Sequence, residues 1–458
     1  MPPRSTATAL VRAALAGAVA LLLVLPTAVG ADDAPSVAGP TTTTVDPPTT
    51  LPPTTLPPTT LPPTTSTVAD GPGAEGGATV TAVDEASYRD ALDALSTAPS
   101  GPNTLVLAAD IVVDDGTDPT YTGTADLVVE GGGHTLDGAG VGRLLAVDSP
   151  AGTDVTFRQV TLTGGRTSGD GGAVVGADGV RLAFEQATLS GNRAGGDGGA
   201  VATSGQLGME DTTVEGNAAP DGAGGGASAA DAVGLTRVTF AGNRARTGGA
   251  LSSTGDAGLI DATVTANVAT ARGGGLHVGH RLYLVYGTIV ANAAPVAANL
   301  DLVRRPSVLG TVLADPAGGG TNCDPTLPFR ATDSFSDDTS CGGTAAGWAG
   351  TEGDDPLLGP LADNGGLTRT MLPAPESPLV DVIDPLPFWA GPMFSCTTFD
   401  DQRGVTRPQD GNGVPETGGA TYGPYGPATE WCDIGAVERE APPAPPAGPT
   451  PVAPRFTG

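Results

Sequence analysis

The chain has 458 residues, of which 50 are acidic and 21 basic, and every basic residue is arginine, giving a formal charge of −29 at neutral pH. A surface of that sign has no basic face for a phosphate backbone, which excludes nucleic acid as a partner. Glycine and proline number 70 and 43, against 4% aromatic residues.

In chain order, residues 1–30 read as an export signal: Arg4 and Arg12 flank the start of an apolar run from Ala13 to Leu25, and Ala28-Val29-Gly30 supplies small residues for cleavage. The run is shorter than the ~20 residues a membrane span needs, and no later segment is long and apolar enough. The mature chain is therefore expected to be secreted, without a transmembrane segment. Residues 31–75 carry the pentad Thr-Thr-Leu-Pro-Pro in tandem. Such a segment favours an extended, disordered stalk of ~3.1 Å per residue, open to O-glycosylation. The Pro-rich residues 441–458 form a second coreless segment.

Between these ends, Tyr88, Ala91, Leu92 and Leu95 fall at helical spacing within Asp84 to Leu95, predicting a short amphipathic helix that caps an open sheet end. Leu105–Val113 and Leu127–Gly138 read as irregular first coils. From Thr161 to Ile289 the chain repeats itself. Asn192, Asn217, Asn243, Asn267 and Asn292 recur about every 25 residues, beside glycine pairs such as Gly198-Gly199 and Gly224-Gly225. The apolar series Leu162, Leu189, Val214, Phe240, Val264 and Ile289 keeps the same period. Such a period marks a solenoid whose repeats bury their apolar faces only against one another.

Each repeat offers three short strands, as at Val201, Leu207 and Thr213-Val214, and lacks the 3.6-residue apolar period of a helix. The predicted fold is all-β: a right-handed parallel β-helix over residues 76–314, with roughly eight or nine coils ~4.8 Å apart, followed by an irregular region over 315–440. A second inward column is read at Leu182, Leu207, Leu235, Leu259 and Leu282. Glycine pairs are placed at corners that need positive φ or a close approach. The asparagines are placed in left-handed turns, with side-chain amides bonding from coil to coil.

Cys323, Cys341, Cys396 and Cys432 all follow the regular repeats, and their even number in an exported chain favours disulfides. Three pairings are open. Cys323 with Cys341 and Cys396 with Cys432 is favoured, because each bridge closes a Gly/Pro/Asp-rich segment that packing alone holds poorly, for ~3 kcal/mol apiece. Calcium is the one cofactor for which ligands are offered: Asp410, Asn412 and Glu416 place oxygens beside glycines, without the full EF-hand loop. Asp114, Asp115 and Asp118 form a less specific acidic loop. His277, His280, Arg281, Tyr283 and Tyr286 form the densest polar and aromatic cluster, read as the last coil meeting the C-terminal region, with the two histidines on opposite sides of a strand. Thr161, Thr188, Thr213, Thr239, Thr263 and Thr288 make an outward column whose companion column is broken, so β-branched stacking accounts for it better than an ice-binding face.

The segments Leu189-Ser-Gly-Asn192, Phe240-Ala-Gly-Asn243 and Ile289-Val-Ala-Asn292, with their Gly-Gly-Ala-Val/Leu neighbours, resemble the repeats of polymorphic outer-membrane proteins and pectin-lyase-like β-helices over about Leu105–Leu313. Four later blocks resemble the choice-of-anchor Q domain in its own order. They are the run from Asp355 to Pro373, Ser377–Asp381, Asp401-Gln-Arg-Gly-Val-Thr-Arg-Pro408 and Cys432-Asp-Ile-Gly-Ala-Val-Glu438. That resemblance implies an exported, surface-associated β-helix with an anchoring signal and no known reaction. Pro454-Arg-Phe-Thr-Gly458 only faintly matches a sortase motif, so sortase anchoring is not expected.

Neither a calcium-plus-base set for polysaccharide elimination nor a recognisable hydrolase carboxylate pair is present, and no catalytic residue is assigned. The expected function is a structural, adhesive or recognition module that meets a cell-surface polysaccharide or protein. A polysaccharide lyase or glycoside hydrolase and a non-catalytic carbohydrate-binding module are the alternatives. Outward Asp, Glu and Arg clustered in one groove favour an enzyme; scattered charges favour adhesion.

Overall fold

A computed structural model of the chain describes residues 77–98, 101–342, 348–350, 353–383, 396, 400–411 and 431–440. The export signal, the stalk and the Pro-rich tail lie outside them. The described chain is mostly β, a parallel β-helix of about ten turns, with one helix, α1 (Glu85–Ser96). No helix among the described residues is long and apolar enough to cross a membrane.

One coil shows how the rod is built. Val201–Thr203, Leu207–Glu210, Thr213–Glu215 and Ala218–Ala223 follow one another around the turn. Each lies parallel to its counterpart on the next coil: Val201 beside Ala227, Leu207 beside Val233, Thr213 beside Thr239 and Ala218 beside Arg244. Repetition yields an 8-stranded, a 5-stranded and an 18-stranded sheet. The largest is bent along its length. Gln186, Asp211, Arg237, Asp261 and Tyr286 occupy the bend, with φ of 53, 49, 52, 51 and 52°, so one left-handed residue per coil turns the chain there.

The inward series Leu162, Leu189, Val214, Phe240, Val264 and Ile289 is fully buried and stacks in register. The leucine column read from sequence is corrected: Leu207 stacks on Val233, whereas Leu235 stacks between Met209 and Leu259, and Leu282 lies beside Ala257. These residues belong to two inward columns that lie two residues apart. A slip of two residues in a strand keeps a side chain facing inward, so apolar pattern alone cannot separate them.

The asparagines also need a correction. Gly191, Gly216 and Gly242, each just before an asparagine, have φ of 64, 63 and 63°, and Ala266 and Ala291 take φ of 56 and 55°. The left-handed residue is the one before, which frees the asparagine side chain to enter the interior. There the predicted coil-to-coil bonding is present. Asn217 Oδ1 accepts from Asn192 N at 2.9 Å and Asn192 Nδ2 at 3.0 Å, while Asn217 Nδ2 donates to Leu189 O at 2.9 Å and to Asn243 Oδ1 at 3.0 Å. Two donors and two acceptor sites are thus all used. The ladder runs on through Asn267, Asn292, Asn299 and Asn322.

The glycine pairs divide the work expected of them. Gly224 has φ of 71°, and a Cβ on Gly225 would collide with the Gly249 carbonyl oxygen of the next coil.

At the N-terminal end, Thr79–Ala82 adds a strand to the sheet, and α1 follows. Asp84 caps it: Ser87 N donates to Asp84 Oδ1 at 2.9 Å, and Asp84 N donates to Ser87 Oγ at 3.0 Å. Tyr88, Ala91, Leu92 and Leu95 are buried against the first coils, as their spacing predicts. At the other end the parallel ladder continues past residue 314 through Ser334–Ser336 and Trp348–Ala349.

Three substitutions separate these roles in urea or thermal unfolding. Asn243→Ala orphans buried groups on both neighbouring coils and is expected to cost at least ~3 kcal/mol. Gly225→Ala forces two coils apart and is expected to cost as much. Gly242→Ala meets open space and costs only the left-handed conformation, ~1 kcal/mol.

Candidate functional site

The most heavily constructed place in the molecule is where the C-terminal region returns to the rod. It docks on the outer face of the large sheet through the threonine column. Thr239 Oγ1 donates to Arg369 O at 2.6 Å and Thr263 Oγ1 to Gln402 Oε1 at 2.6 Å. Gln402 Nε2 donates to Thr239 Oγ1 at 2.8 Å and Val238 O at 3.1 Å, and Ala436 N donates to Thr288 Oγ1 at 3.0 Å. Thr239, Thr263 and Thr288 are therefore buried, while Thr161, Thr188 and Thr213 stay half-exposed. The column read as wholly outward is, over its second half, a docking face.

Arg407 is the centre of that interface. Its side chain is 0% exposed. Nη1 lies 2.8 Å from Glu438 Oε2, Nη2 lies 3.1 Å from Asp261 Oδ1 and donates to Gly435 O at 3.0 Å, and the guanidinium carbon stands 4.4 Å above the Tyr286 ring. Asp261 and Tyr286 both come from the left-handed bend of the large sheet, which projects them away from the coil interior. Stacking on the ring leaves Arg407 Nε without a hydrogen-bond partner among the described residues, a cost that the cation–π attraction offsets.

Around this single guanidinium the carboxyls outnumber the charge. Burial pushes Asp261 up to about 7, against the attraction of Arg407. Asp433 is pushed up to about 8, first by burial and then by the charge of Glu438. Glu438 is itself raised by burial, with Arg407 opposing. Asp433 accepts from Asp381 N at 2.8 Å and Arg439 N at 2.6 Å, and Asp401 accepts from Arg403 N, Val405 N and Glu438 N at 2.8, 2.9 and 2.9 Å. Such an arrangement can fix one docked geometry, since removing Arg407 leaves buried carboxyls without their counter-charge and removing Asp433 leaves buried amides without an acceptor.

The cysteines pair as Cys323–Cys341 and Cys396–Cys432, the favoured pairing; the second holds Cys432, whose amide donates to Ile383 O at 2.9 Å. Of the calcium set, Asp410 is described, and Asn412 and Glu416 lie outside the described residues. The acidic loop is tied down: Asp115 pairs with Arg89 of α1 and Asp118 with Arg143.

The histidine cluster comes apart. His277 Nδ1 lies 2.6 Å from Asp301 Oδ2 on the following coil, where Arg272 Nε also reaches, at 2.7 Å. His280 and Arg281 instead pair with Asp256 on the preceding coil. Tyr286 goes to Arg407, meeting the C-terminal region as its position predicts. Ser252, His277 and Asp301 neighbour one another in register, yet no hydrogen bond joins Ser252 to the ring, so the base-to-nucleophile contact of acyl transfer is not formed.

Near the end of the rod, Arg305, Pro306, Pro328, Phe329 and Arg330 line a cleft of about 400 Å³, and Phe329 packs edge-on to Trp348 with ring centroids 5.6 Å apart. Sequence reasoning missed this cleft and the bend column. Gln, Asp, Arg and Tyr in successive coils share a backbone conformation but no residue type. Arg407 had one available signal, its place in the block Asp401–Pro408.

The chain matches no family model, no curated protein and no solved structure.

Arg407→Met strands Asp261 and Glu438 and is expected to cost ~3–5 kcal/mol of docking stability, read as unfolding of the C-terminal region before the rod. Carboxyls whose folded value exceeds the unfolded one hold extra protons when folded. Their contribution is therefore full below the usual carboxylate range and is lost as pH rises through about 7 for Asp261 and about 8 for Asp433. Urea midpoints are expected to fall between pH 5.5 and 8.5, and Asp433→Asn to flatten that fall; an unchanged slope in the variant contradicts the assignment.

Proposed function

We propose that the chain is an exported, cell-surface β-helix that serves as a structural and recognition module rather than as an enzyme. The observation that carries this reading is the disposition of several of the rod's carboxylates, which are engaged across coils instead of converging in a groove. Arg158 bridges Glu130 at 3.1 Å and Glu185 at 2.7 Å, Arg237 Nε lies 2.6 Å from Asp211 while its Nη2 reaches Glu210, and Arg281 lies 2.8 Å from Asp256. Carboxylates held this way serve as cross-strand ties. A glycosidase or lyase needs an acid and a base left free to face the substrate.

Export is supported by the two disulfides, which persist in oxidising compartments. Two of the blocks that resemble choice-of-anchor Q proteins meet in the fold. Gln402 and Arg407 come from one of these blocks and Cys432 to Glu438 from another, and both sit in the docking interface. We extend to this chain the surface-associated role which that resemblance implies. The rod then acts as a stiff spacer, its specificity carried by outward positions that break the repeat.

Incubating the full chain with a panel of acidic and neutral polysaccharides, with and without calcium, tests this reading. Co-sedimentation with polymer of unchanged length is expected. New reducing ends or unsaturated products, lost on substituting a rod carboxylate, would make the protein an enzyme.

A further inference from the structure

Most arginines along the rod are neutralised on neighbouring coils, as Arg143 is by Asp118 and Arg237 by Glu210 and Asp211. Arg166, Arg193, Arg244 and Arg246 are different. All four are exposed, and among the described residues none has an ion-pair or side-chain hydrogen-bond partner. In a chain with 50 acidic residues against 21 basic ones, four guanidiniums left unpaired on one sheet require a reason.

That sheet is the five-stranded one. Arg166 lies in register with Arg193, Arg193 with Ala218, Ala218 with Arg244 and Arg244 with Val268. Three guanidiniums therefore rise from one column parallel to the rod axis. The first two are one coil apart, ~4.8 Å, and the third stands two coils further on, ~10 Å away. Arg246 projects from the same face as Arg244, with buried Ala245 between them.

Like charges directly opposite one another destabilise a sheet, and no ion pair among the described residues offsets that repulsion here. The intervening outward residue, Ala218, is small, and Val268 follows Arg244 on the next coil, so the row is left uncovered. Carboxylates at the far edge of the face are tied to backbone amides rather than to the arginines: Asp170 Oδ1 accepts from Asp197 N at 2.8 Å, and Asp197 Oδ1 accepts from Ala223 N at 2.7 Å. Asp221 is the one exposed acid on the strand between Arg193 and Arg244.

We propose that this row binds a linear acidic glycan laid along the rod axis, with Arg166, Arg193 and Arg244 taking successive carboxylate or sulfate groups. The inference rests on the recognition reading above and names its partner. Guanidinium forks match planar carboxylate and sulfate oxygens in pairs. A column repeating with the coil suits a ligand whose charges repeat along a chain. Each contact is exposed and weak, and strength comes from repetition. Nucleic acid fits less well, because the strands of this sheet carry no aromatic ring on which a base stacks.

The test measures binding of the full chain to alginate, dextran sulfate, neutral dextran and single-stranded DNA at low and physiological salt. The two acidic polymers separate carboxylate from sulfate as the source of charge. Binding to at least one of them is expected, weakening as salt rises. Arg193→Gln should weaken it about three- to fivefold, and the triple variant R166Q/R193Q/R244Q by about 50-fold, with the thermal midpoint held or slightly raised, because all three side chains are exposed and their mutual repulsion is removed. Undiminished binding by the triple variant, a preference for DNA, or no binding to either acidic polymer overturns the proposal. Retention on neutral dextran that the substitutions do not touch removes the row while leaving the recognition reading intact; cleavage of any polymer counts against that reading instead.

Discussion

Every coil of this rod satisfies its backbone only through the coils before and after it. That constraint sets coil length to within a residue or two, because an insertion would move every later side chain out of its column. It also explains why like stacks on like. Phe157 and Phe184, in register on successive coils, lie with ring centroids 5.0 Å apart and planes within 7°. The asparagine ladder is the polar version of the same rule, and its buried amides are tolerable only because the next coil supplies the matching groups. A parallel stack leaves raw edges at its ends. α1 covers the first, and the disulfide-closed loop that carries Phe329, with Trp348 packed edge-on against it, follows the last regular coils.

The C-terminal region meets the rod under different physics. Its contacts are long-range and unique: an apolar cluster joins Val290 and Val312 of the rod to Leu379, Ile383 and Ile434, and beside it a single buried arginine serves carboxylates from both parts. Such a centre contributes little net stability compared with an apolar contact of the same size, but it tolerates no other geometry. The bend of the large sheet makes this possible, since a left-handed residue in each coil projects Asp261 and Tyr286 toward the docked segment. One face of the rod is thereby closed, and the five-stranded sheet keeps its arginines open to solvent.

How much of this was legible in the sequence follows from what repeats. The asparagine, glycine and apolar columns report a coil-by-coil environment, so the solenoid, its corners, α1 and the inward face could all be read from periodicity. Positions that vary from coil to coil could not. Leu207 and Leu235 looked like one column because a two-residue slip preserves inward facing. The threonine column looked uniformly outward because no local signal marks where a segment about 130 residues away will cover it. Arg407, Asp261 and Tyr286 meet through tertiary structure alone. The arginine row was hidden for a related reason: Arg166, Arg193 and Arg244 become neighbours only once the register is known.

Hydrogen exchange of the intact chain, resolved by residue, tests the central claim that in-register stacking is the constraint on which the structure depends. Amides that donate to the asparagine ladder, at Asn192, Asn217, Asn243 and Asn267, are predicted to exchange slowest. The docked amides of Gln402 and Ala436 should follow, ahead of exposed corners such as Gly132. Ladder amides exchanging as fast as those corners would show that the coils are not locked in this register and would contradict the account.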